Sequence, residues 1–182
     1  MTTDSEGDID AENRSVRFVR HYALGREDLW QAFTDPQRLA RWLGAVTGDM
    51  REHGRYGLDF GDDETTSGRI TTCREPDQLT ATWESPGEGT TQVDVHRSDT
   101  GTGTRVVLTH ASLRPEDLPG YAAGWHTHLD HLDTDLNGHR ASGWSERYNE
   151  LLPRNTSHGP GVPATGQGSW AKDAPSLPPP TT

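Results

Sequence analysis

The chain's hydrophobic pattern changes period along its length. It predicts an α+β fold in which a curved antiparallel sheet of six strands wraps around one long C-terminal helix, in the order β-α-α-β5-α. Three observations carry this reading. A strand-like segment precedes two short stretches of helical spacing. Residues 54–110 then alternate apolar and polar side chains between glycine-rich and acidic turns. Residues 115–136 return to helical spacing in a single apolar stripe.

Each element follows from its own residues. Residues 15–22 (SVRFVRHY) are rich in β-branched and aromatic side chains and read as the first strand. Leu29, Trp30 and Phe33 recur at helical spacing, and after the start signal Asp35-Pro36 so do Leu39, Trp42 and Leu43, which gives two short helices. The turn clusters Gly61-Asp62-Asp63, Glu75-Pro76-Asp77, Pro86-Gly87-Glu88-Gly89 and residues 99–103 then separate five short strands. Apolar side chains take every second place in Leu79-Thr80-Ala81-Thr82-Trp83, and Val93 and Val95 repeat the pattern, so these strands form a meander with one covered face. After Pro115-Glu116-Asp117, a helix start, come Leu118, Tyr121, Ala122, Trp125, Leu129, Leu132 and Leu136. At about 100° per residue these fall within roughly 60° of one direction, a stripe that needs a broad apolar partner, and the sheet is that partner.

Composition bounds the folded part. Only 30% of the 182 residues are hydrophobic, and the deficit is concentrated at the ends. Residues 1–14 are acidic and polar, and residues 153–182 hold seven prolines and four glycines with Trp170 as their only aromatic. Neither stretch buries enough apolar surface to offset the entropy of ordering it, so both are expected to be disordered, leaving one domain over 15–152. The spacing PxxP in residues 175–180 is read as part of a solvated tail. A net charge of −11 without a basic cluster argues against nucleic acid as a partner. No apolar run is long enough for a membrane span, and the acidic N-terminus is unlike a secretory signal, so a cytoplasmic location is expected. Cys73 is the single cysteine, which excludes an internal disulfide, and on a strand with only Arg74 beside it the thiol is read as inert.

The order of elements and certain residues resemble the START-like helix-grip superfamily, and within it the domain family named for the activator of heat-shock-protein-90 ATPase homologue, C-terminal-like. The residues that carry the resemblance are Leu29-Trp30, Thr34-Asp35-Pro36, Trp42, Gly54-Arg55-Tyr56, Gly68-Arg69-Ile70, Glu75-Pro76 with Leu79 and Trp83, Gly103-Thr104-Arg105-Val106 leading to Thr109-His110, and Gly124-Trp125 with Leu129 and Leu132. The resemblance covers about residues 15–140 and implies a cavity between the concave sheet and the long helix that takes an apolar or amphipathic small molecule.

The residues expected around such a cavity are Tyr56, Phe60, Arg69, Trp83, His110, Tyr121, Trp125 and His128. Trp83 and Trp125 are expected to face one another from sheet and helix, and whichever of His110, His128 and Arg69 points inward would orient the ligand's polar end. No catalytic residue, cofactor or metal is assigned. His128, His131 and Asp135 share a helix stripe whose spacing suits a metal, but that stripe is expected to face solvent, and His126 lies on the other side of the apolar stripe. His96 is read as a solvent-facing or satisfied histidine, Asp62-Asp63-Glu64 as a solvated turn, and Gly101 and Gly103 as a hairpin rather than a phosphate loop. Two other functional readings rest on the same residues. One is a cyclase or aromatase acting on a polyketide-like substrate through a cavity His or Arg. The other is a co-chaperone-like or regulatory module that binds a protein partner through its acidic surface and tails.

Overall fold

Val16, Phe18, Arg20 and Tyr22 are buried while the residues between them look outward, the period of two of a strand with one covered face. In this computed structural model, which describes residues 7–61 and 63–156, the same alternation recurs along residues 89–99 and 104–111. The elements in chain order are β1 (Asp8–Asp10), β2 (Ser15–Tyr22), α1 (Arg26–Thr34), α2 (Pro36–Trp42), β3 (Ala45–Gly48), β4 (Arg55–Gly61), β5 (Glu64–Arg74), β6 (Gln78–Ser85), β7 (Gly89–Asp99), β8 (Thr104–Ala111), α3 (Leu118–Leu136) and α4 (Trp144–Thr156). The strands make one curved, open antiparallel sheet in the order β1-β2-β8-β7-β6-β5-β4-β3. Among the described residues no helix is long and apolar enough to cross a membrane.

The expected start signals do their work. The Asp35 carboxylate caps α2 by accepting from the backbone N–H groups of Gln37 at 2.8 Å and Arg38 at 3.0 Å. A 3-10 turn over Pro115–Asp117 leads into α3, which lies in the concavity of the sheet. Val16, Phe18, Ile70, Leu108, Leu129 and Leu132, all almost fully buried, form the core between them.

Three features depart from the expected order. The sheet has eight strands rather than six, because β1 pairs with the open edge of β2 and β3 pairs with β4. At three and four residues these edge strands are too short to show a period, yet they satisfy backbone groups that an edge would otherwise expose. Strand β1 lies in the stretch expected to be disordered, and its Ile9 packs against the core. At the other end the chain folds past residue 152: α4 runs to Thr156, with Tyr148 and Leu151 buried and Trp144 and Leu152 packed beside them. The remaining tail, with its PxxP spacing and Trp170, lies outside the described residues.

Helix α4 changes the meaning of α3. A helix against a sheet buries one stripe, but residues 118 and 120–129 of α3 are all buried, because α4 covers the side turned away from the sheet.

Candidate functional site

The concave face of the sheet and helices α1, α2 and α3 line a half-open cavity of about 60 Å³. Its walls are Tyr56 and Leu58 from β4, Ile70 from β5, Leu79, Ala81 and Trp83 from β6, Val93 and Val95 from β7, Leu108 from β8 and Trp125 from α3. Phe33, Leu39, Trp42, Leu43, Val46 and Met50 close the side toward α1, α2 and β3. Period two places the strand residues there, since each is an inward position. Leu43, Val46 and Met50 are only half-buried, so this last wall is the thinnest. A second hollow, of about 250 Å³, lies between β1, α3 and α4 and is rimmed by polar groups of Asp8, His126, Arg154 and Asn155.

Of the residues expected around the cavity, Tyr56, Trp83 and Trp125 line it. The two indole rings face each other across sheet and helix, their centroids 5.5 Å apart at 56°. The Tyr56 hydroxyl donates to the carbonyl of Thr82 at 2.7 Å, passing over Gly68, where a Cβ would sit 2.0 Å from that same carbonyl oxygen. Burial holds the Tyr56 phenol above its ordinary pKa, so it remains protonated.

The other five stand elsewhere. Arg69 is exposed on the outer face of β5 and donates to the carbonyl of His53 at 2.9 Å. Phe60 is half-buried between Trp83 and His128, with ring centroids 5.9 and 5.8 Å away. Tyr121 is buried, and its hydroxyl donates to the Glu88 carboxylate at 2.5 Å.

His110 is fully buried on β8, but its polar atoms face sideways into a closed chain of hydrogen bonds. The indole Nε1–H of Trp125 can only donate, and it reaches His110 Nδ1 at 3.0 Å, so Nδ1 is the acceptor and the ring proton sits on Nε2. His110 Nε2–H then donates to Thr91 Oγ1 at 2.7 Å, and the Thr91 hydroxyl donates to the Trp83 carbonyl at 3.1 Å. Burial lowers the His110 pKa to about 3, so the ring is neutral. It ties helix to sheet rather than presenting a ligand group.

His128 corrects the expectation that its stripe faces solvent: it is 3% exposed, under the Trp144 ring of α4 at 5.5 Å. Its Nδ1–H donates to the Trp42 carbonyl at 3.0 Å, and burial lowers its pKa to about 4. His126 is buried too, on the side of α3 nearest β2, where its ring stands 6.0 Å from Phe18. Among the described residues no group of three His, Cys, Asp or Glu side chains is placed to hold a metal ion. His96 is exposed beside Asp94, and the Cys73 thiol is pushed up by burial and by Glu52 and Glu75.

One residue at this site escaped the sequence reading. Arg97 takes the inward position of β7 next after Val95, is 4% exposed, and lies with its guanidinium carbon 4.7 Å from the Trp30 ring and 5.2 Å from the Phe33 ring. The alternation Thr91, Val93, Val95, Arg97 was the signal that could have found it.

The family described as Activator of Hsp90 ATPase homolog 1-like protein matches residues 23–137. The crystal structure of CalU16 from Micromonospora echinospora is 28% identical, with a TM-score of 0.70 over 80% of this chain and 89% of that one. The protein encoded by gene BPP1335 from Bordetella parapertussis is 22% identical, with a TM-score of 0.68 over 87% of this chain and 95% of its own. DynU16, from the dynemicin biosynthetic locus, is 23% identical with a TM-score of 0.63, and the match spans 68% of this chain but 47% of that larger one. No curated protein matches the sequence.

Proposed function

The chain belongs to the Activator of Hsp90 ATPase homolog 1-like family, and from that premise we propose that it binds an apolar or amphipathic small molecule between its sheet and its helices. The observation that carries this reading is the cavity itself: apolar side chains from the sheet and three helices converge on space that they do not fill. Close packing is the norm in protein interiors, and a void lined by large rings forgoes dispersion contacts that a bound apolar group would restore. The buried histidines next to it are neutral and bonded within the protein, which favours binding over acid–base chemistry.

The present volume sets a condition. Sites for ordinary small ligands measure roughly 300–1,000 Å³, against about 60 Å³ here. A ligand therefore enters by moving a wall, and the half-buried wall of Leu43, Val46 and Met50, between α2 and the edge strand β3, is the one with least to lose. The test is titration with a dye that fluoresces in apolar cavities, followed by native mass spectrometry of the loaded protein. The expected result is saturable dye fluorescence together with a shift in tryptophan emission, since Trp42, Trp83 and Trp125 are wall residues. A dye that finds no saturable site, with a native mass spectrum showing only the bare chain, would overturn the reading.

A further inference from the structure

Three basic side chains are buried on the inner face of the sheet, and only one of them lacks a hydrogen-bond partner among the described residues. Arg20 is paired with Asp130 of α3 at 3.1 Å. His110 is bonded on both ring nitrogens. Arg97 is buried to the same degree, yet its Nε and both Nη atoms have no hydrogen-bond partner.

The surroundings of Arg97 explain why. The carboxylate whose charge acts on it, that of Asp77, is engaged by Arg26, while the Asp77 backbone carbonyl accepts the backbone N–H of Arg97. Trp30 and Phe33 offer ring faces, which attract a cation but accept none of the in-plane N–H groups. Burial lowers its pKa to about 10, so the group remains a cation at neutral pH. A buried guanidinium with its donors unused is strongly unfavourable unless something pairs with it. Its place adjoins the cavity: Val95, the preceding inward residue of β7, and Phe33, over which the guanidinium lies, are both wall residues.

We propose that the ligand is an apolar carboxylic acid, with its tail in the cavity and its carboxylate received by Arg97. This rests on the reading of the cavity as a ligand site and names the ligand's class. A carboxylate matches the planar fork of a guanidinium in two parallel hydrogen bonds. A singly charged head also leaves the buried pair neutral, whereas a phosphate dianion would leave a net negative charge facing Asp77.

Calorimetric titration of the full chain with octanoate, 1-octanol and octylammonium tests the assignment, because the three share a tail and differ in head charge. The expected result is that octanoate binds at least tenfold tighter than octanol, and octylammonium not measurably. In Arg97→Met the preference for the acid disappears while octanol binds as before, and the ligand-free variant unfolds at the same temperature as the parent or higher, since an unpaired buried cation has been removed. Equal affinity of the parent for acid and alcohol, binding of the ammonium as tight as that of the acid, or an acid preference that survives in Arg97→Met would each overturn the role of Arg97 and leave the cavity reading intact. The first two comparisons need only the parent protein. If none of the three probes binds and the dye finds no site, the cavity reading fails, and this proposal fails with it.

Discussion

His110 shows how far one residue's meaning depends on its neighbours' hydrogen atoms. A lone histidine on a strand beside a cavity reads as a ligand group or a proton carrier. The Trp125 indole settles otherwise, because a group that can only donate forces Nδ1 to accept and sends the proton to Nε2, toward Thr91. The consequence is measurable in stability. The folded His110 has a pKa of about 3, below the ordinary histidine value, so as pH falls the unfolded chain takes up a proton that the folded one refuses. The contribution is fully present above about pH 6.5 and is lost progressively as pH falls toward 3. By pH 5 the loss is about 2 kcal/mol by linkage. His128 at about 4 and His131, which is also lowered, act in the same direction. Thermal unfolding at pH 7 and pH 5 should therefore show a larger drop for the parent than for His110→Gln, by about 2 kcal/mol. Parallel drops in the two proteins would mean that His110 ionises freely when folded.

At the scale of elements, the long helix and the meander were legible because their periods persist: α3 repeats its stripe over several turns, and β6 and β7 alternate without interruption. The two edge strands were not, since three or four residues show no period. Helix α4 is a different case. Trp144, Tyr148, Leu151 and Leu152 fall at i, i+4, i+7 and i+8 inside the expected domain, but the polar and charged residues between them leave only a narrow apolar seam. Helix α4 decides where the histidines of α3 lie. Without α4, the stripe of His128 faces water; with it, His128 lies beneath Trp144, and Trp144 stacks on Tyr148 with ring centroids 4.9 Å apart. If α4 is integral to the fold, Leu151→Ala should destabilise the whole domain by about 2–5 kcal/mol, because Leu151 is 1% exposed. Denaturant unfolding monitored by circular dichroism would measure this. An unchanged midpoint would show α4 to be an appendage that melts on its own.

Taken as one molecule, the protein holds its polar and apolar demands apart. The β2 side of the inner sheet face is tied to α3 and α4 by Arg20, Asp130 and Arg147, with Arg147 Nε at 2.8 Å from Asp130. The opposite side, toward β3 and α2, holds the cavity, and none of its wall residues carries a charged side chain. Rigidity and room are thus placed at opposite ends of the same sheet. The cavity wall was legible in part: Tyr56, Trp83 and Trp125 follow from alternation and stripe, while Arg97, which adjoins it, was hidden because charge usually marks an outward position. This division predicts that stability and binding oppose each other at the cavity. Ala81 is an inward wall residue of β6 with 8% exposure, and Ala81→Val points two methyl groups into the empty space. Each buried methyl is worth about 0.8 kcal/mol when seated without strain, so the variant should be more stable than the parent by up to about 1.6 kcal/mol. The same methyl groups occupy the volume that a ligand needs, so its affinity for the cavity dye should fall at least tenfold. Thermal melts and dye titrations on the two proteins read both effects. A variant that loses stability while binding the dye as tightly as the parent would place the ligand elsewhere.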